Sequence, residues 1–148
     1  MKAKAIAYWV TTTLIGLETL AGGVLDLTHG RTNVVSGPSV VDVVTSLGYP
    51  VYVLTILGIW KIPGAIVLFV PGFLRLKEWA YAGIVFELSA AAASQAVRGR
   101  PGDVIAPLIL LGLAFSSWAL RPPSRILGTL FPTGSRGRVS SMPSDKAA

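Results

Sequence analysis

VYVLTILGIWKIPGAIVLFV, residues 51–70, is an apolar run with a single charged residue, Lys61, near its middle. A helix needs about 20 mainly apolar residues to cross a bilayer, and this run supplies them. Residues 5–27, 79–97 and 104–120 have the same character, and the last of these contains no charge. The chain of 148 residues is 52% hydrophobic and 14% charged, against about 25% charge in a soluble domain. The reading is therefore an all-α integral membrane protein. Its spans, at 5–27, 51–70, 79–97 and 104–120, form a four-helix bundle within residues 1–122, with the lipid bilayer as solvent.

Charge gives the orientation. Nine Lys and Arg lie before the first span, between the second and third, or after the fourth: Lys2, Lys4, Arg75, Lys77, Arg121, Arg125, Arg136, Arg138 and Lys146. Arg31, Arg98 and Arg100 lie on the other side. This positive-inside bias places both termini in the cytoplasm. It also accounts for the net charge of +6 without a nucleic-acid partner. Residues 123–148, rich in Ser, Pro, Gly and Arg, read as a disordered basic cytoplasmic tail. A cleaved leader is disfavoured, because Glu18 interrupts the apolar stretch that a signal peptide needs. Between the first two spans, GPSVVDVVTSLGYP (37–50) is too short and polar to cross. Pro38, Gly48 and the spacing of Val40, Val44 and Leu47 predict a short interfacial helix there.

The lysine decides where chemistry can be. Lys61 lies about 15 Å inside its span at 1.5 Å per residue, near the bilayer midplane, and Glu18 and Glu87 fall at similar depth in theirs. An unpaired charge there costs at least about 2.5 kcal/mol, so such groups turn inward and find partners. The simplest pair is Lys61 with Glu87, with Glu18 competing for the ammonium. One carboxyl then has no cation and becomes a hydrogen-bond donor or a proton-binding site. Gly58, Gly64 and Ala65 beside Lys61, and Ala80, Gly83, Ala90, Ala91 and Ser94 beside Glu87, predict two small-residue faces packed on each other. Pro63 frees a carbonyl to which the ammonium can also donate. Glu18, Trp60, Lys61 and Glu87 are accordingly the candidate ligand-binding residues. Asp26, His29 and Gln95 form a candidate polar mouth nearer the outer surface. No metal site is predicted, because nothing near His29 has ligand spacing, and the absence of cysteine excludes thiolate chemistry and cysteine-ligated clusters.

The stretches GGVLDLTH (22–29), LGYP (47–50), LTILGIWKIPGAIVL (54–68), PGFLRLKEWAYAG (71–83) and ELSAAAAS (87–94) resemble the DoxX-like family of small four-span bacterial membrane proteins. Relatives often carry His after the AAAS run, where this chain has Gln95. The resemblance implies a four-helix bundle associated with redox proteins of the bacterial membrane, among them a thiosulfate:quinone oxidoreductase. Carried over position by position, it marks Asp26, Lys61 and Glu87. The functional expectation is a non-catalytic membrane subunit or partner of a redox system, with quinone as its possible cofactor. A redox enzyme subunit or a second copy of the chain is the expected protein partner. The alternative is a small proton-coupled transporter that uses a membrane-embedded Glu.

Overall fold

The computed structural model describes residues 2–30 and 38–127. Five α-helices follow one another: α1 (Lys2–Leu27), α2 (Val40–Ser46), α3 (Tyr52–Phe69), α4 (Leu74–Val97) and α5 (Ile105–Ala119). Short 3₁₀ turns occupy Pro101–Val104 and Pro123–Arg125. Among the described residues there is no strand, and four helices are long and apolar enough to cross a membrane, the fourth including the Pro101–Val104 turn. The four pack in a ring, α1 on α3, α3 on α4, α4 on α5 and α5 back on α1. Short connections join α3 to α4 and α4 to α5, and the longer one from α1 to α3 carries α2, in an up-and-down arrangement. Both the N-terminus and the stretch after α5 therefore lie at one end of the bundle, the termini end. The remaining part of the predicted tail, 128–148, lies outside the described residues, as does Arg31 of the charge count.

The core is built from Ile15, Leu68, Tyr81, Ile84, Leu88 and Ala114, which come from all four long helices. The outward faces are apolar as well: Ile6, Leu14, Ile59, Phe86, Ile109 and Phe115 are all exposed in the chain itself. A helix apolar on every side belongs in lipid.

The short helix forms where the sequence predicts it, but Ser39 rather than Pro38 starts it. Ser39 Oγ accepts from the Asp42 N–H at 3.2 Å, and Asp42 Oδ2 accepts from the Ser39 N–H at 3.2 Å, a reciprocal box that satisfies two orphan donors. Gly48 takes φ +90° just after the last turn, as a helix-ending glycine does. Arg98 then donates to the Leu47 carbonyl from Nε (3.0 Å) and Nη2 (2.6 Å), which places a cation at the negative end of α2. Arg100 Nη1 donates to Ser46 Oγ at 3.1 Å, and Tyr49 OH lies 2.8 Å from Ser94 Oγ. Two of the three basic residues assigned to this side by charge counting thus fasten α2 to the end of α4.

At the termini end, α4 begins at Leu74 rather than at residue 79. The apolar run is interrupted by Arg75, Lys77 and Glu78, yet the helix continues through them because two of these charges have partners inside the bundle. Lys77 is 1% exposed and donates to the Val67 and Val70 carbonyls. Arg125 donates to the Leu68 carbonyl at 3.0 Å and the Phe69 carbonyl at 3.4 Å. The last carbonyls of α3 have no intrahelical donors, and these two cations supply them. Arg125 also stands over the rings of Tyr8 and Trp9, at 5.9 and 4.7 Å, so residues just past 122 dock on the bundle.

Candidate functional site

Lys61 is placed by the contact between α1 and α3. A Cβ at Gly58 would stand 2.6 Å from Leu27 Cγ and 2.8 Å from the Gly23 carbonyl, and one at Gly23 would stand 2.8 Å from Lys61 Cβ. Only glycine lets the two backbones approach this closely. Gly58 therefore faces α1, not α4, and Lys61 leaves α3 level with Gly23, on the side of Asp26.

The ammonium reaches two carboxylates. Lys61 Nζ lies 2.8 Å from Asp26 Oδ2 and 2.6 Å from Glu87 Oε1. The side chains are 14%, 6% and 24% exposed for Lys61, Asp26 and Glu87, so Asp26 is the driest member of the triad. Asp26, assigned from sequence to an outer mouth with His29 and Gln95, belongs to the buried layer instead. Asp26 lies about one helical turn beyond Gly23, and the lysine side chain extends along the bundle to reach it. The ammonium goes to these carboxylates rather than to the carbonyl freed by Pro63. Glu18 makes no ion pair within 4.0 Å among the described residues, but it is close. A Cβ at Gly22 would meet Lys61 Nζ at 3.3 Å and Glu18 Oε1 at 3.9 Å, and Glu18 feels the charges of Lys61, Glu87 and Asp26. Three carboxyls thus surround one ammonium.

Beside this cluster a cleft of about 350 Å³ runs between α3 and α4, with Thr19 of α1 also in its wall. Lys61 and Glu87 line its polar end; Leu57, Pro63, Val67, Leu76 and Ile84 make the walls apolar. Trp60 and Trp79, 73% and 75% exposed, line it at the lipid face. Gly64 and Gly83 also line it, and a Cβ at either would meet nothing within 4 Å. These small residues were expected to bring α3 and α4 into close packing. They leave a slot instead, because α3 is drawn to α1 through Gly58 and Gly23.

Neither His29 nor Gln95 hydrogen-bonds a side chain of the triad among the described residues. His29, at φ +52°, has Nε2 3.4 Å from Thr55 Oγ1. Gln95 Oε1 is buried without a hydrogen-bond partner among the described residues. No group of His, Asp or Glu there is arranged to hold a metal ion.

Sequence reading missed a second buried polar layer toward the termini end. Thr12 Oγ1 and Tyr81 OH each lie 2.7 Å from Ser117 Oγ, which joins α1, α4 and α5. Arg121, 4% exposed, holds Glu78 through Nη1 at 2.7 Å and Nη2 at 3.2 Å, and Trp118 Nε1 donates to the same carboxylate at 3.0 Å. Hydroxyls inside apolar runs give little sequence signal, because each can instead bond its own helix, as Thr19 does to the Ile15 carbonyl at 2.8 Å.

Four apolar helices, a charge cluster buried between them and a cleft open toward the lipid define a small multi-pass membrane protein. The model of the DoxX-like family matches residues 10–117, a stretch that contains Glu18, Asp26, Lys61 and Glu87, and the chain belongs to that family. No curated protein and no solved structure matches it.

Proposed function

We propose that the protein is a non-catalytic membrane partner of a redox system, seated in the bacterial inner membrane with both termini cytoplasmic, and that its cleft takes a quinone-sized molecule from the lipid. The observation that carries this reading is the cleft between α3 and α4, apolar along its length and ending on Lys61 and Glu87. Its volume falls in the range of about 300–1,000 Å³ typical of small-molecule sites. An ammonium has three donors, and Asp26 and Glu87 take two of them. The third is available to a quinone carbonyl, while Trp60 offers a ring face for stacking. A quinone supplies electron and proton transfer when bound; this chain's residues orient it and exclude water. With no cysteine and one histidine, the chain leaves electron delivery to a partner subunit.

Purified protein titrated with short-chain quinones tests the site. A ligand that binds only the folded bundle raises the melting temperature with concentration, by RT ln(1 + [L]/Kd) in stability. The shift is expected in the wild type and absent in Gly83→Leu, which adds a side chain to the cleft at a position where a Cβ would meet nothing within 4 Å. A shift of equal size in both proteins would move the quinone elsewhere, and no shift in either would leave the cleft without this role.

The orientation has its own test. A thiol-reactive reagent that cannot cross the membrane is expected to label Gly102→Cys in intact cells and Lys4→Cys only after permeabilisation, since both positions are exposed and lie at opposite ends of the bundle. The reverse pattern would invert the protein.

A further inference from the structure

We infer that the cleft between α3 and α4 is selective for charge, binding single-tailed amphiphilic cations in preference to neutral or anionic molecules of the same shape. The inference rests on the reading that the cleft admits a guest from the lipid. It goes further by stating which head group the guest carries.

The argument starts from an imbalance. Lys61 is in ion-pair contact with both Asp26 and Glu87, and Glu18 lies within Coulomb reach of all three. Three carboxyls face one ammonium, so one acid has no cation of its own until a guest supplies it. Of the three acids, only Glu87 lines the cleft, and at 24% exposure its side chain is more accessible than that of Asp26 at 6%. Lys61 does not depend on Glu87 alone. If Glu87 turns toward an incoming cation, Asp26 still neutralises the ammonium and Glu18 still lies beside it. The exchange exposes no unpaired charge, which is the condition for moving ions at this depth. An incoming carboxylate meets the opposite situation, because the one ammonium is already shared among acids.

The walls fit the same guest. Trp60 and Trp79 present indole rings on the cleft, and indole is the best aromatic partner for a desolvated cation. From Glu87 to Leu76 the α4 wall is about 16 Å long at 1.5 Å per residue, a length suited to one extended alkyl chain. A phospholipid fits poorly, because its phosphate would be brought against the carboxyls of Asp26 and Glu87.

Dodecyltrimethylammonium, dodecanol and dodecanoate share one tail and differ in head charge. Each is titrated into wild-type protein and Gly83→Leu in phosphatidylcholine nanodiscs, and the excess rise in melting temperature of the wild type reports binding in the cleft. The ammonium compound is expected to reach a given shift at about tenfold lower mole fraction than the alcohol, a factor in keeping with a desolvated cation on indole, and dodecanoate to give none. Glu18→Gln breaks no ion pair, so the bundle should stay folded, and it is expected to narrow the preference for the cation. Equal shifts from ammonium and alcohol, strongest binding by dodecanoate, or an unchanged preference in Glu18→Gln would each overturn charge selection. If quinones bind and the cation does not, this inference fails while the quinone reading stands. If neither binds, both fail.

Discussion

Lys61→Met is expected to lower the stability of the bundle by about 3–5 kcal/mol, the usual cost of removing one partner from a buried pair and leaving its counter-charge behind. Two carboxylates are stranded by this change, Asp26 and Glu87, and their surroundings rank them. Asp26 is 6% exposed and Glu87 24%, so Asp26 has less water to fall back on. Neutralising the drier acid should therefore recover more. In reversible unfolding from detergent, Lys61→Met with Asp26→Asn is expected to be more stable than Lys61→Met with Glu87→Gln, and both more stable than Lys61→Met alone. Adding Glu18→Gln should change little by comparison, because Glu18 is in no direct contact with the ammonium. Double-mutant cycles separate these couplings. A coupling for Glu18 larger than that for Asp26 would contradict the geometry, and additive losses throughout, within about 0.5 kcal/mol, would mean that the ion pairs contribute nothing as pairs.

The same triad shows what could be read from the chain. Hydropathy placed the four spans because lipid imposes one rule on every residue of a crossing helix, and length and composition suffice to apply it. The pairing of Lys61 with Glu87 was legible for a related reason: two opposite charges at one depth in lipid have few alternatives. Asp26 was marked with them only by the family resemblance, since its place in the layer depends on a lysine side chain reaching along the bundle and on α1 and α3 meeting at Gly23 and Gly58. Helix rotation of that kind is not encoded in span boundaries. The contacts of Lys77 and Arg125 were missed for a different reason. Basic residues after a span fit the charge rule so well that a second role, supplying donors to the end of α3, leaves no separate trace in composition.

The cleft itself follows from unequal packing, and this gives the second large effect. Gly58→Leu is expected to cost about 3 kcal/mol or more, at or beyond the upper end of ordinary overpacking. A Cβ at Gly58 would lie 2.8 Å from the Gly23 carbonyl, a backbone atom that no rotamer change can move. Separation of α1 from α3 would also pull Lys61 from Asp26, so the steric and electrostatic losses act together. At Gly16 the atoms nearest a Cβ belong to the end of the Phe69 ring, at 2.5 Å, which can swing away, so Gly16→Ala should cost less than Gly58→Ala. At Gly64 and Gly83 nothing lies within 4 Å, and alanine there should be neutral or stabilising by up to about 1 kcal/mol through helix propensity. This order sets Gly58 and Gly23 apart as the seam that holds α3 on α1, and Gly64 and Gly83 as the residues that keep the slot beside α4 open. Thermal unfolding of the variants in one detergent gives the ranking. If Gly58→Leu melts with Gly83→Leu, α3 is not anchored to α1 by glycine contact, and the open cleft beside α4 loses its physical cause.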